Sequence, residues 1–178
     1  MNPLTQLKKI RILPLLIAPA LIAVAVSTAV PARATPVCGV VTETLAVGHF
    51  PSGSLDLMCM DLPIWDLITR IKGDSDVYVT RHTFQPGNHT GWHTHPGPSL
   101  ITVIAGALTV YEASNPTCTP ITYTAGQSFT DIGCGDVHLV RNEGNVMAQD
   151  VAVQIVPAGA PRRIDAPAPG NCPAINCP

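Results

Sequence analysis

The chain has 178 residues, 46% hydrophobic and only 12% charged, with ten Lys+Arg, twelve Asp+Glu and a formal net charge of −2. Four of the basic residues (Lys8, Lys9, Arg11, Arg33) and none of the acidic ones lie in the first 34 positions, leaving six basic against twelve acidic side chains beyond them. Such a chain, with no Lys/Arg cluster, gains nothing from counterion release, which excludes nucleic acid as a partner.

From the N-terminus, Lys8, Lys9 and Arg11 form a basic head. An apolar run from Ile12 to Val30, broken by Pro14 and Pro19, leads to the small-residue signature Ala32-Arg33-Ala34. This pattern predicts a signal peptide over 1–34 and export. A retained anchor is the rival reading; the prolines and the A-x-A ending favour cleavage, so no membrane association is expected afterwards. The remainder is long enough for one domain with its own core.

Residues 35–75 read as an N-terminal segment with one short helix, Pro63–Ile71, capped by Asp61, although its Ile and Thr would also suit a strand. Beyond it, Val/Ile/Thr-rich segments alternate with Gly/Pro turns. The predicted strands are Asp76–Phe84, Gly91–His95, Leu100–Ile104, Ala107–Tyr111, Thr119–Tyr123, Ser128–Asp131, His138–Asn142 and Ala148–Val156. Strands at this spacing predict an all-β sandwich or small barrel over 76–157. Residues 158–178 read as a Pro/Ala/Gly-rich tail on the surface. The six cysteines (Cys38, Cys59, Cys118, Cys134, Cys172, Cys177) lie outside the leader. In an exported chain they predict up to three disulfides, Cys134 among the partners, one of them pinning the tail.

Chemistry concentrates in Gly87-Asn88-His89-Thr90-Gly91-Trp92-His93-Thr94-His95-Pro96-Gly97-Pro98-Ser99. Side chains alternate along a strand, so His93 and His95 share a face and Trp92 points to the other layer. His138 opens a second alternating run, and three imidazoles meeting in a barrel would hold a divalent metal with positions open to water or substrate. His89 and Asp136 are further candidate ligands. The rival readings place His89 in a loop at the barrel mouth and Asp136 in a turn. Tyr111 and Glu112 are expected at the surface, and His49 and His82 receive no role. Thr102, Thr109 and Gln154 are the candidate polar residues of a pocket.

These residues resemble the two motifs of the cupin superfamily, in its small single-domain form. Gly87, His93-Thr94-His95 and Gly106 fall in register with the first motif, but Ser99 stands where it has a glutamate. Gly126, Gly133-Cys134-Gly135, His138 and Asn142 resemble the second, with Gly133 in the place of a proline and one extra residue after Gly126. The resemblance implies a double-stranded β-helix, or jelly-roll barrel. It also implies a metal held by His93, His95 and His138 (Mn, Fe, Zn, Cu or Ni), a structural Asn142 that ties a turn, and pairing into a homodimer. The missing glutamate argues against transferring oxalate oxidase- or decarboxylase-like chemistry to this chain.

Two classes of function follow. One is an exported metalloenzyme acting on a small molecule, as an oxidoreductase, isomerase or decarboxylase; the three-histidine dioxygenases are its variant. The other is a non-catalytic barrel that binds a metal or small ligand. The sequence identifies no catalytic residue beyond the histidines.

Overall fold

Strict two-residue alternation dominates the chain and dictates its layers. In the computed structural model, which describes residues 34–178 except Leu62, the long strand Ala148–Pro157 alternates buried and half-buried positions almost throughout. One face of such a strand belongs inside a barrel. The predicted signal peptide lies outside the described residues, apart from Ala34. Among the described residues no helix is long and apolar enough to cross a membrane.

Among the described residues twelve strands follow in chain order: β1 Val41–Phe50, β2 Asp56–Asp61, β3 Trp65–Arg70, β4 Ser75–Phe84, β5 His93–Thr94, β6 Ser99–Ala105, β7 Ala107–Glu112, β8 Ile121–Thr124, β9 Ser128–Asp131, β10 His138–Arg141, β11 Ala148–Pro157 and β12 Ile164–Asp165. Two five-stranded sheets face each other, β1-β4-β11-β6-β9 and β12-β5-β10-β7-β8, while β2 and β3 form a separate hairpin. All pairings are antiparallel, as a double-stranded β-helix requires.

One expectation is corrected here. Pro63–Ile71 is not a helix: its β-branched residues form β3, which pairs with β2 from Asp61↔Trp65 to Asp56↔Arg70. The N-terminal segment supplies β1, which pairs with β4 along nearly its full length. The tail supplies β12, an exposed edge strand of the second sheet, through Ile164↔Thr94 and Asp165↔His93.

The interior is divided along its length. At one end Phe84, Val103, Leu108, Val110, Val140 and Ala148 pack as a buried apolar cluster. The same strands carry polar inward residues at the other end, where the site lies. A second cluster, Trp92, Tyr111, Cys118, Leu139 and Ala166, covers the outer face of the second sheet, with Cys172 and Ile175 of the tail packed on it. Trp92 thus points away from the histidines beside it, and Tyr111, only 8% exposed, is a core residue rather than a surface one. Its hydroxyl donates to Glu143 Oε1 at 2.5 Å.

Two disulfides tie the ends to the barrel, Cys38–Cys177 and Cys118–Cys172. Cys59 and Cys134 are free and exposed, so the third bridge, and with it a bonded Cys134, does not form.

Candidate metal centre

The strand register explains why three histidines converge. His93 on β5 and His138 on β10 are directly paired, so their side chains leave the sheet on one side. His95 lies two residues on from His93, just past the end of β5. The ring centroids are 4.8 Å apart for His93–His95, 4.3 Å for His93–His138 and 5.4 Å for His95–His138. One nitrogen from each lies within 4.8 Å of the others, the arrangement a single ion needs.

Backbone contacts orient two of the rings. His93 Nδ1 donates to Gly91 O at 3.0 Å and His95 Nδ1 donates to Arg162 O at 2.5 Å, which leaves Nε2 of each as a lone pair. Burial is the largest cause holding all three imidazoles below their ordinary pKa; the charge of Arg163 adds to it at each, and His138 adds to it at His93 and His95, while the Asp131 carboxylate opposes it at His95 and His138. At neutral pH the rings are therefore uncharged, the form that binds metal.

Reading the sequence assigned no role to a carboxylate that lies beside this group, Asp131. Ser99 on β6 pairs directly with Asp131 on β9, and both are buried and face inward. Asp131 Oδ2 lies 3.5 Å from His95 Nε2, and Oδ1 lies 3.6 Å from His138 Nδ1. Oδ1 accepts from Gly133 N–H at 2.8 Å, whereas Oδ2 and His138 Nδ1 are buried without a hydrogen-bond partner. A lone pair on His95 facing an unsatisfied carboxylate oxygen calls for a cation between them. The spacing also agrees with that: ligands about 2.1 Å from a tetrahedral ion lie ~3.4 Å apart. The donor set fits a divalent metal.

The other candidates lie apart from this group. His89 is bridged through its backbone to Cys38 and sits by the Cys38–Cys177 disulfide, whose sulfurs are bonded to each other and cannot serve as thiolate ligands. Its Nδ1 accepts from Gly91 N–H at 3.1 Å. Asp136 follows the Gly133–Gly135 turn and acts on His138 through its backbone and its charge, and on Glu112 through its charge. Asn142 ties a turn as expected: Nδ2 donates to Phe84 O and Val146 O, and Oδ1 accepts from Gly144 N–H. Glu112, placed at the surface by the sequence reading, has a buried Oε2 with no partner. Burial, then the charges of Asp136 and Asp131, push its carboxyl up to about 7.

A cavity of about 130 Å³ opens beside the histidines. His82, left without a role by the sequence, lines it with Asp150, and the two meet at 2.6 Å across β4 and β11. Gln154 also lines it, as expected of a polar pocket residue. Thr102 is exposed and bonded to Ser128, and Thr109 bonds Thr122 on the outer side of its sheet, so neither belongs to the cavity. Arg162 and Arg163, from the segment leading into β12, close the rim. No spacing rule could have placed them there, because the tail pairing carries them.

Residues 80–153 match the family described as Cupin domain. Among solved structures the chain is similar to an uncharacterized conserved protein with a double-stranded β-helix domain from Klebsiella pneumoniae, at 24% identity over 52% of this chain and 76% of that one, with a TM-score of 0.44. It is similar to an oxalate oxidase at 26% identity over 46% of each chain, TM-score 0.39. It is also similar to a predicted oxalate decarboxylase from Thermotoga maritima, at 20% identity over 48% of this chain and 83% of that one, TM-score 0.39. No curated protein matches the sequence.

Proposed function

This chain is a cupin over residues 80–153, and from that premise we propose that it is an exported metalloprotein whose ion is held by His93, His95 and His138 with Asp131, and which acts on a small molecule in the adjoining cavity. The observation that carries the proposal is the buried, unpartnered Asp131 Oδ2 facing a lone pair of His95 at 3.5 Å. Three imidazoles and a carboxylate suit Mn, Fe, Zn, Cu or Ni. An ion held there would supply Lewis-acid chemistry.

The chain's own residues do the rest. Gly91 O and Arg162 O fix the ring orientations of His93 and His95, and Gly133 N–H fixes Asp131. Asp150 holds His82 Nδ1, so that His82 can hold or pass a proton at its other nitrogen, within the cavity wall. Two disulfides support an oxidising location outside the cytoplasm, as the leader reading requires.

Elemental analysis of the secreted protein, alongside His93→Ala and His138→Ala, tests the metal reading. About one ion per chain in the wild type, lost in both variants, is the expected result. A wild type that remains metal-free after incubation with Mn, Fe, Zn, Cu and Ni would end the proposal.

A further inference from the structure

The polypeptide that closes the cavity lies beyond the matched cupin residues, and it carries the two arginines nearest the site. Its position is fixed by the ligand strand itself. Ile164 pairs with Thr94 and Asp165 with His93, so the next step of the antiparallel register sets residue 163 opposite His95. Paired residues share a face, and so do residues two apart, which puts Arg163 and Asp165 on the same side of the sheet as the metal histidines. The carbonyl of Arg162, accepting from His95 Nδ1 at 2.5 Å and from Gln154 Nε2 at 3.1 Å, locks the backbone there.

The two guanidinium groups are employed differently. Arg162 donates from Nε to Gln154 Oε1 at 3.1 Å and lies over the Tyr78 ring at 4.9 Å, so its planar group is already engaged on neutral partners. Arg163 donates from Nε to the exposed Asp165 carboxylate at 2.5 Å, while its Nη2 is buried and has no partner. A buried, charged donor left unpaired is costly, and a guanidinium fork matches a carboxylate edge to edge. The cavity volume, about 130 Å³, is close to that of apolar cavities that take up benzene, so an occupant of roughly six or seven heavy atoms fits.

We propose that Arg163 anchors the carboxylate of a small organic acid that occupies the cavity beside the metal, making the C-terminal segment the part of this chain that selects its ligand. This assignment rests on the metal-site reading for its setting, but on Arg163 for its selectivity. Asp165 competes with the ligand for the same guanidinium and so moderates its affinity.

The test uses the secreted protein and two probes of the same size, malonate and malonamide, titrated calorimetrically, with metal content measured on the same samples. The wild type is expected to bind malonate at least about tenfold more tightly than malonamide. Arg163→Gln should abolish that preference with the metal content unchanged, and Arg163→Lys should retain part of it. Asp165→Asn, which leaves the arginine intact, should tighten malonate binding severalfold and covers the case in which Arg163→Gln fails to fold. Equal malonate affinity in wild type and Arg163→Gln, no malonate binding by the wild type, or no tightening in Asp165→Asn would overturn the assignment. A wild type without metal would defeat the metal reading alone, since the comparison of variants still decides the role of Arg163.

Discussion

Ser99 and Asp131 are direct cross-strand partners on β6 and β9, both buried and both facing the three histidines. The serine stands where the cupin motif has its glutamate, and a carboxylate, Asp131, lies opposite it on the neighbouring strand. A shift of one strand moves the acid by about 4.8 Å in the hydrogen-bonding direction. Asp131, reaching in from β9, ends 3.5 Å from His95 Nε2.

Moving the acid predicts a swap. Asp131→Ala should weaken metal binding by about 10- to 100-fold, measured by competition with a chelator of known affinity. Ser99→Glu combined with Asp131→Ser should recover most of the loss. An Asp131→Ala variant with wild-type affinity would remove the aspartate from the metal shell.

The fold of residues 76–157 was legible because alternation, turn residues and the two motifs all point to one barrel. His93, His95 and His138 were legible for the same reason, being two on one strand and one in register on another. Asp131 was not, because its role depends on β6–β9 pairing, and Ser128–Asp131 by itself reads only as a short strand. Arg163 and His82 were hidden similarly, by tail pairing and by the β4–β11 register. The failed helix at Pro63–Ile71 reflects the ambiguity of a short apolar run, which a pairing partner decided.

Acid should destabilise the metal-free protein. His93, His95 and His138 are held below their ordinary value of 6.5, chiefly by burial. Below that pH the unfolded chain takes up protons that the folded chain refuses, so the stability these groups contribute is present above 6.5 and is lost as pH falls. The denaturation midpoint of the chelated protein should drop steadily from pH 7 to pH 5. A midpoint that is flat or rising over this range contradicts the neutral, buried histidine cluster.

Gly133 should resist replacement by the proline that the cupin motif has there. Its φ is +63°, which proline cannot adopt, and a Cβ at this position would lie 2.2 Å from Gly97 O. Proline would also delete the N–H that holds Asp131 Oδ1. Gly133→Pro is expected to cost at least ~3 kcal/mol in chemical denaturation and to weaken metal binding; wild-type stability would contradict the turn geometry.

The cysteines divide into two classes. Cys59 and Cys134 should react with a thiol reagent in the native protein, giving two equivalents per chain, and their serine variants should be as stable as wild type. Cys118→Ser and Cys38→Ser each open a bridge that closes a long loop and should cost about 2–4 kcal/mol, read from denaturation curves. Native reactivity beyond two thiols would contradict the pairing.

The central claim is the identity of the four groups around one ion, and anomalous diffraction from crystals of the metal-loaded protein tests it most directly. The account predicts a single strong peak within about 2.3 Å of nitrogens of His93, His95 and His138 and of an Asp131 oxygen. A peak placed elsewhere, or one that the histidines surround while Asp131 stays out of reach, would contradict it.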